Sequence, residues 1–155
     1  MARDMRAFID EALPPLERLC IHFEGVYLRP YLCPAGVPTI GVGATRYIDG
    51  TRVQLTDAPI DRATAIVMLR HQLRNEFIPG TLNACPTIDT PGRLAALADF
   101  AYNCGVSALR ASTLRKRVLA REWERAPEQF RRWTRGGGRV LPGLVRRREA
   151  EISLL

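Results

Sequence analysis

The 155-residue sequence has no apolar run approaching the roughly 18 residues that a membrane-spanning helix requires. Its opening stretch, MARDMRAFIDEALPP, carries a charge every few residues and no apolar centre, so it reads as neither an export signal nor a signal-anchor. Histidine is scarce, with His22 and His71 alone. The four cysteines, Cys20, Cys33, Cys85 and Cys104, form no C-x-x-C pair, and Cys20-x-His22 lacks two further ligands at a metal-site spacing. Neither a metal nor a cofactor is therefore expected, and without an export signal the thiols are expected to be reduced. There is no G-x-S-x-G, and neither histidine has a serine and an aspartate at a known spacing. Gly41-Val42-Gly43 lacks the third glycine, the lysine and the helix start of a phosphate loop. Cys33, His22 and Asn103 supply the residue types of a thiol protease, but the sequence around Cys33 has no papain-like signature.

What is present is ordinary globular composition, with 46% hydrophobic and 25% charged residues. The formal net charge is +7, and it is uneven. Residues 1–109 sum to −1 and residues 110–155 to +8, and every basic residue except Lys116 is arginine. Such a cationic third suits an anionic wall polymer or membrane surface, or else is simply a solvated face. Nucleic acid is not expected as a partner, because no reading helix or aromatic-studded sheet accompanies the arginines.

Helical periodicity dominates. Residues 4–23 predict a first helix with Leu16, Leu19, Cys20 and Phe23 on one stripe, disturbed at Pro14-Pro15 and stopped by Gly25. Residues 37–54 read as strands, with Asp49-Gly50 as a turn. The clearest helix is 61–77, capped by Asp61, with Ala65, Met68, Leu69 and Leu73 buried and Pro79-Gly80 ending it. Further helices are expected over 91–103, 112–121, 123–133 and 143–154, with Pro91 and Pro127 in first turns. Leu97, Phe100, Leu114, Val118, Trp123, Phe130, Trp133, Leu141 and Leu144 should build the larger core.

One constellation carries chemistry. Glu24 closes the first helix directly after the apolar Phe23. A carboxyl against an apolar wall loses hydration, which penalises its charged form and suits the proton donor of glycoside hydrolysis. Cys33 follows nine residues later and Thr39 six after that, leading into Thr39-Ile40-Gly41-Val42-Gly43-Ala44-Thr45. Downstream come Phe100-Ala101-Tyr102-Asn103-Cys104-Gly105, then Ser112-Thr113-Leu114, then Phe130-x-x-Trp133, Gly137-Gly138 and Pro142-Gly143-Leu144-Val145-x-Arg147-Arg148. This ordered set, over about residues 20–152, resembles the phage-type lysozymes (endolysins, glycoside hydrolase family 24). Their motif is Glu-x8-(Asp/Cys)-x5-Thr followed by T-I-G-Y-G-H-T. This chain departs from it with Val42 for tyrosine, Ala44 for histidine and Cys33 for the commoner aspartate.

The resemblance implies an α+β, lysozyme-like, mostly helical fold. A small N-terminal lobe with a β-hairpin (about 1–60) would be joined by a long helix (about 61–78) to a larger helical lobe (about 79–155). It implies an enzyme that cleaves the β-1,4 bond between N-acetylmuramic acid and N-acetylglucosamine in peptidoglycan. Glu24 would be the general acid, Cys33 would stand in place of the second acidic group, and Thr39 would position water. Inversion is the default outcome. Tyr31, Gly41, Asn103, Ser112 and Arg148 are the expected substrate-binding residues. Asn103 serves either a sugar or an interlobe hinge, Ser112 either the cleft or a helix cap, and Arg147 or Arg148 reaches Glu24, the glycan or solvent. The resemblance further implies a monomer that accumulates in the host cytoplasm and leaves through a holin pore. The cysteine at the second acidic position keeps open another reading, a catalytically silent cationic binding module of the same fold.

Overall fold

The computed structural model describes residues 2–155. Its elements are α1 (Met5–Glu24), β1 (Tyr27–Leu32), β2 (Pro38–Gly41), α2 (Arg62–Gln72), a π-turn (Leu73–Phe77), α3 (Ile78–Ala84), α4 (Pro91–Cys104), α5 (Val106–Ala111), α6 (Thr113–Leu119), a 3-10 turn (Trp123–Arg125), α7 (Ala126–Arg131), β3 (Arg135–Gly136), β4 (Arg139–Val140) and α8 (Pro142–Ile152). The expected α+β, mostly helical architecture is what the chain adopts.

α1 starts where Asp4 accepts from the backbone N–H groups of Arg6 and Ala7. It runs unbroken through Pro14 and Pro15, contrary to the disturbance expected there. Pro14 lies on the exposed side, where the carbonyls that lose partners can reach water, while Leu13 and Leu16 hold the opposite face in the core. That face, Phe8, Ala12, Leu13, Leu16 and Cys20, packs on α4. Every residue of α4 from Leu94 to Ala101 is buried, so α4 is the central post of the helical body.

β1 and β2 pair antiparallel, Tyr31 opposite Thr39 and Tyr27 opposite Gly41, with an irregularity between the two pairs. The remaining expected strand region, out to residue 54, forms only single bridges, Ile40 with Ala44 and Arg46 with Arg52. Asp61 caps α2 as expected, accepting from Thr64 N–H. Pro79-Gly80 does not end the helical run. The chain widens into the π-turn at Leu73–Phe77 and restarts as α3, with Pro79 in its first turn where a missing N–H costs nothing.

Two apolar clusters result. Ile40, Ala44, Val53 and Met68 form the smaller, under the hairpin region. Leu69 and Leu73 belong to the larger cluster, with Leu16, Leu97, Phe100, Leu114 and Phe130. Neighbouring residues of α2 thus enter different cores, and α2 joins the two bodies. Trp123, Trp133, Leu141 and Leu144, expected in the larger core, are only half-buried. A hollow opens between the bodies.

Candidate active site

Glu24 is the last residue of α1. The helix stops there because Gly25 takes φ +75° while its N–H still bonds Ile21 O at 3.0 Å. The carboxyl lines a cleft of about 450 Å³ together with Gly43, Thr45, Arg46, Gln72, Glu76, Phe77, Tyr102 and Asn103. Gly43 has φ +69°, and a Cβ there would lie 3.5 Å from Glu24 Oε2 and 3.4 Å from the Tyr102 hydroxyl, so a glycine keeps the acid accessible. Tyr102 donates to the Val42 carbonyl and ties α4 to this loop. Arg46, Gln72 and Glu76 continue into an adjoining hollow of about 280 Å³ lined also by Tyr47, His71 and Asn75.

The surroundings of Glu24 differ from the sequence expectation. Its close partner is a guanidinium: Arg147 Nη1 donates to Glu24 Oε1 at 2.6 Å. The Phe23 ring lies instead beside that guanidinium, 5.5 Å from its carbon. Arg147 is itself held bidentately by Asp99, with Nε to Oδ2 at 2.8 Å and Nη2 to Oδ1 at 2.9 Å. Asp99 also accepts from the Cys20 thiol at 3.4 Å. Burial works against the charge of both Asp99 and Arg147. Their mutual hydrogen bonds and attraction outweigh it, keeping Asp99 below the usual carboxylate range and Arg147 above the usual guanidinium value.

The next residue, Arg148, is fully buried and donates to Asn103 Oδ1 (2.9 Å), Cys104 Sγ (3.1 Å) and Glu151 Oε1 (2.7 Å). Its expected contact with glycan is therefore corrected, since it has no free surface and instead orients Asn103, which does line the cleft. Burial pushes the Glu151 carboxyl up to about 10, helped by a hydrogen bond to Asp99 and opposed by Arg148. Two contacts bear on that proton: Arg148 Nη2 donates to Glu151 Oε1 at 2.7 Å, and Arg148 Nε lies 2.7 Å from Oε2 without aligning as a hydrogen bond.

A stability prediction follows from Glu151. An unfolded glutamate loses its proton near pH 4.3, whereas the folded one keeps it far higher. Between these values the native state binds more protons, so its stability falls as pH rises. Thermal melts should show Tm declining from pH 6 to 9, and Glu151→Gln, which imitates the protonated group, should flatten that slope. An unchanged slope would mean that Glu151 is ionised in the native state.

Cys33 opens the tight turn at the hairpin tip, and its carbonyl accepts from Gly36 N–H at 2.8 Å. The backbone N–H of Val37, then that of Ala35, hold the half-buried Cys33 thiol below its ordinary range, outweighing burial, which pushes it up. Cys20, Cys85 and Cys104 move the other way: burial pushes all three up, Cys85 to about 11. Iodoacetamide at pH 7.5 should accordingly alkylate Cys33 first, read by peptide mass, because the thiolate is the nucleophile. Equal labelling of all four would refute this order.

Thr39 is 2% exposed and donates to the Val37 carbonyl at 2.9 Å. Direct positioning of water is corrected on that ground, because its proton is spent and water has little access. Tyr31 faces both Glu24 and Cys33; burial raises its phenol, and the charges of Tyr27, Glu24 and Cys33 add to this. The cleft at Glu24 is lined by Asn103 but not by Tyr31, Cys33 or Thr39. Two expected binding residues are elsewhere. Gly41 is buried against Ala65 of α2. Ser112 caps α6, accepting from Arg115 N–H at 3.0 Å and donating to Leu109 O at 2.7 Å.

Sequence reasoning missed Asp99, Glu151, Gln72 and Glu76. The last two had a signal, an i,i+4 polar pair on one face of the joining helix. Asp99 had none, because its partner is 48 residues away.

Comparison with known proteins bears on the family and the fold. The endolysin of Bacillus phage B103 is 37% identical over 132 residues, which cover 85% of this chain and 49% of that protein. The SAR-endolysin of Escherichia phage Mu is 33% identical over 135 residues, covering 86% and 74%. The chain thus spans about half the length of the first and about three-quarters of the second. In three dimensions, an endolysin from Escherichia coli O157:H7 phage FAHEc1 superposes with a TM-score of 0.81 at 28% identity, over 91% of this chain and 90% of that one. The family model described as phage lysozyme matches residues 21–151. The chain belongs to the phage lysozyme family.

Proposed function

We propose that this chain is a muramidase of the endolysin kind, hydrolysing the β-1,4 bond between N-acetylmuramic acid and N-acetylglucosamine in bacterial peptidoglycan. The observation that carries this reading is Glu24, 27% exposed, oriented into a cleft by an arginine that α4 holds from behind. Glu24 gives its proton to the leaving glycosidic oxygen. The Cys33 thiolate, facing the same region by way of Tyr31, stabilises positive charge on the sugar or activates the attacking water. Inversion remains the assigned outcome. Asn103 and Tyr31 are the substrate contacts retained.

The cationic third is thinner at the surface than the sequence suggests. Arg147 and Arg148 are buried, and Arg117 and Arg131 are ion-paired with Glu122 and Glu149. The remaining exposed arginines hold anionic wall polymer by long-range attraction, which salt weakens. The protein acts as a monomer. Among the described residues no helix is long and apolar enough to cross a membrane, and release through a holin pore is the route assigned.

Mass analysis of digested peptidoglycan tests the reading. Reducing-end N-acetylmuramic acid is expected. Anhydro ends would make the protein a transglycosylase, and intact glycan would leave a silent binding module.

A further inference from the structure

We propose that Asp99, which never reaches the cleft, is a positioning residue for Glu24. By holding Arg147 bidentately and offsetting its charge, it sets the direction from which the guanidinium meets the acid. The inference rests on the muramidase reading and concerns how that site is tuned.

The geometry is specific. A guanidinium is planar, so two bonds from one carboxylate fix its plane and with it the direction of every remaining N–H. Asp99 takes Nε and Nη2, and Nη1 is left pointing at Glu24 Oε1. Arg147 has 4% of its side chain exposed and Asp99 none, so neither can turn toward water. Asp99 is braced in turn by Cys20, one turn before Glu24 on α1.

The charges matter as much as the angles. The titratable groups facing Arg147 are Glu24 and Cys20 from α1 and Asp99, Tyr102 and Cys104 from α4. A lone buried guanidinium against Glu24 would favour the carboxylate strongly, and a carboxylate cannot donate a proton. Asp99 supplies the offsetting negative charge on the far side. An isosteric neutral residue at position 99 keeps the packing and removes that offset.

The test is the pH dependence of kcat on purified peptidoglycan for wild type, Asp99→Asn and Glu149→Gln. The basic limb reports deprotonation of the acid. In Asp99→Asn it should move to lower pH by about one unit, as expected when an opposite charge acts unopposed at short range. At neutral pH, kcat should fall about tenfold with KM within twofold. Glu149→Gln, which removes an exposed carboxyl on the same helix as Arg147, paired with Arg131, should leave the limb in place.

A limb that stays put in Asp99→Asn, whatever happens to kcat, overturns the inference, and so does an equal movement in both variants. Should Asp99→Asn fail to fold, Arg147→Lys decides. It keeps the positive charge but lacks the fork, so folded protein with wild-type kcat refutes positioning, and a roughly tenfold loss at unchanged KM supports it. A wild type that cuts no glycan at any pH refutes the muramidase reading itself. A lytic wild type whose limb ignores Asp99→Asn refutes only the role given to Asp99.

Discussion

Glu24→Gln is expected to lower turnover on peptidoglycan by roughly 10²–10⁴-fold, the usual worth of a positioned general acid. Glutamine keeps the size and still accepts the hydrogen bond from Arg147 Nη1, but it has no proton of the right acidity to give. The fold should survive. Arg147 retains both bonds to Asp99, and losing one charge-assisted contact at a partly exposed group costs on the order of 1 kcal/mol. Binding to insoluble wall should also persist, since the exposed arginines are untouched. The measurement is turbidity loss of a wall suspension, beside a sedimentation assay and a thermal melt. Equal lysis by wild type and variant would remove Glu24 from the chemistry. Loss of lysis together with a collapsed melt would say only that the variant is unfolded, and the melt is there to separate those results.

The parts of the fold that were legible are those whose signals are local. Asp61 capping α2, the burial of Ala65, Met68, Leu69 and Leu73, Gly25 stopping α1, and Pro91 and Pro127 in first turns are all where short-range rules put them. β1 was not legible. Its sequence Tyr27-Leu28-Arg29-Pro30-Tyr31-Leu32 contains a proline and shows no clean alternation, and it forms a strand only because β2 pairs with it across an irregular register. The stop at Pro79-Gly80 misled because a proline that ends one helix also suits the first turn of the next.

The site divides the same way. Glu24, Cys33, Thr39 and Asn103 stand out through spacing in a motif. The braces do not. A single aspartate inside Leu94–Ala101 looks like a flaw in an apolar helix, and Arg146-Arg147-Arg148 looks like one solvated run. Only the fold reveals that two of those arginines turn inward to meet Asp99 and Glu151 while Arg146 stays outside. Long-range pairing of buried charges leaves no periodic trace, so position 99 could not be picked out by pattern.

Arg147→Met is expected to destabilise the protein by about 3–5 kcal/mol, because it leaves the Asp99 carboxylate buried without its partner. For a chain of this length that is a Tm fall of roughly 10 °C. The surface pair Arg131–Glu149 gives the scale for comparison. Its side chains are 55% and 47% exposed, and Arg131→Gln should cost about 0–1 kcal/mol. The two substitutions each remove one arginine from an ion pair, and burial alone separates the results. The pH dependence has a definite sign. Without Arg147, burial raises the folded-state value of Asp99 above its unfolded one, so the native state holds the extra proton. The loss should then be smallest below the unfolded value, about pH 3.9, and grow as pH rises through the folded one. Adding Asp99→Leu to Arg147→Met removes the stranded charge and should return much of the stability, since apolar replacement of a buried pair is often neutral or better. Activity should not return with it, because nothing then orients Glu24. Recovery of both together in the double variant would mean that the pair holds the helices but does not aim the acid, and recovery of neither would mean that the cost lies in packing rather than in charge.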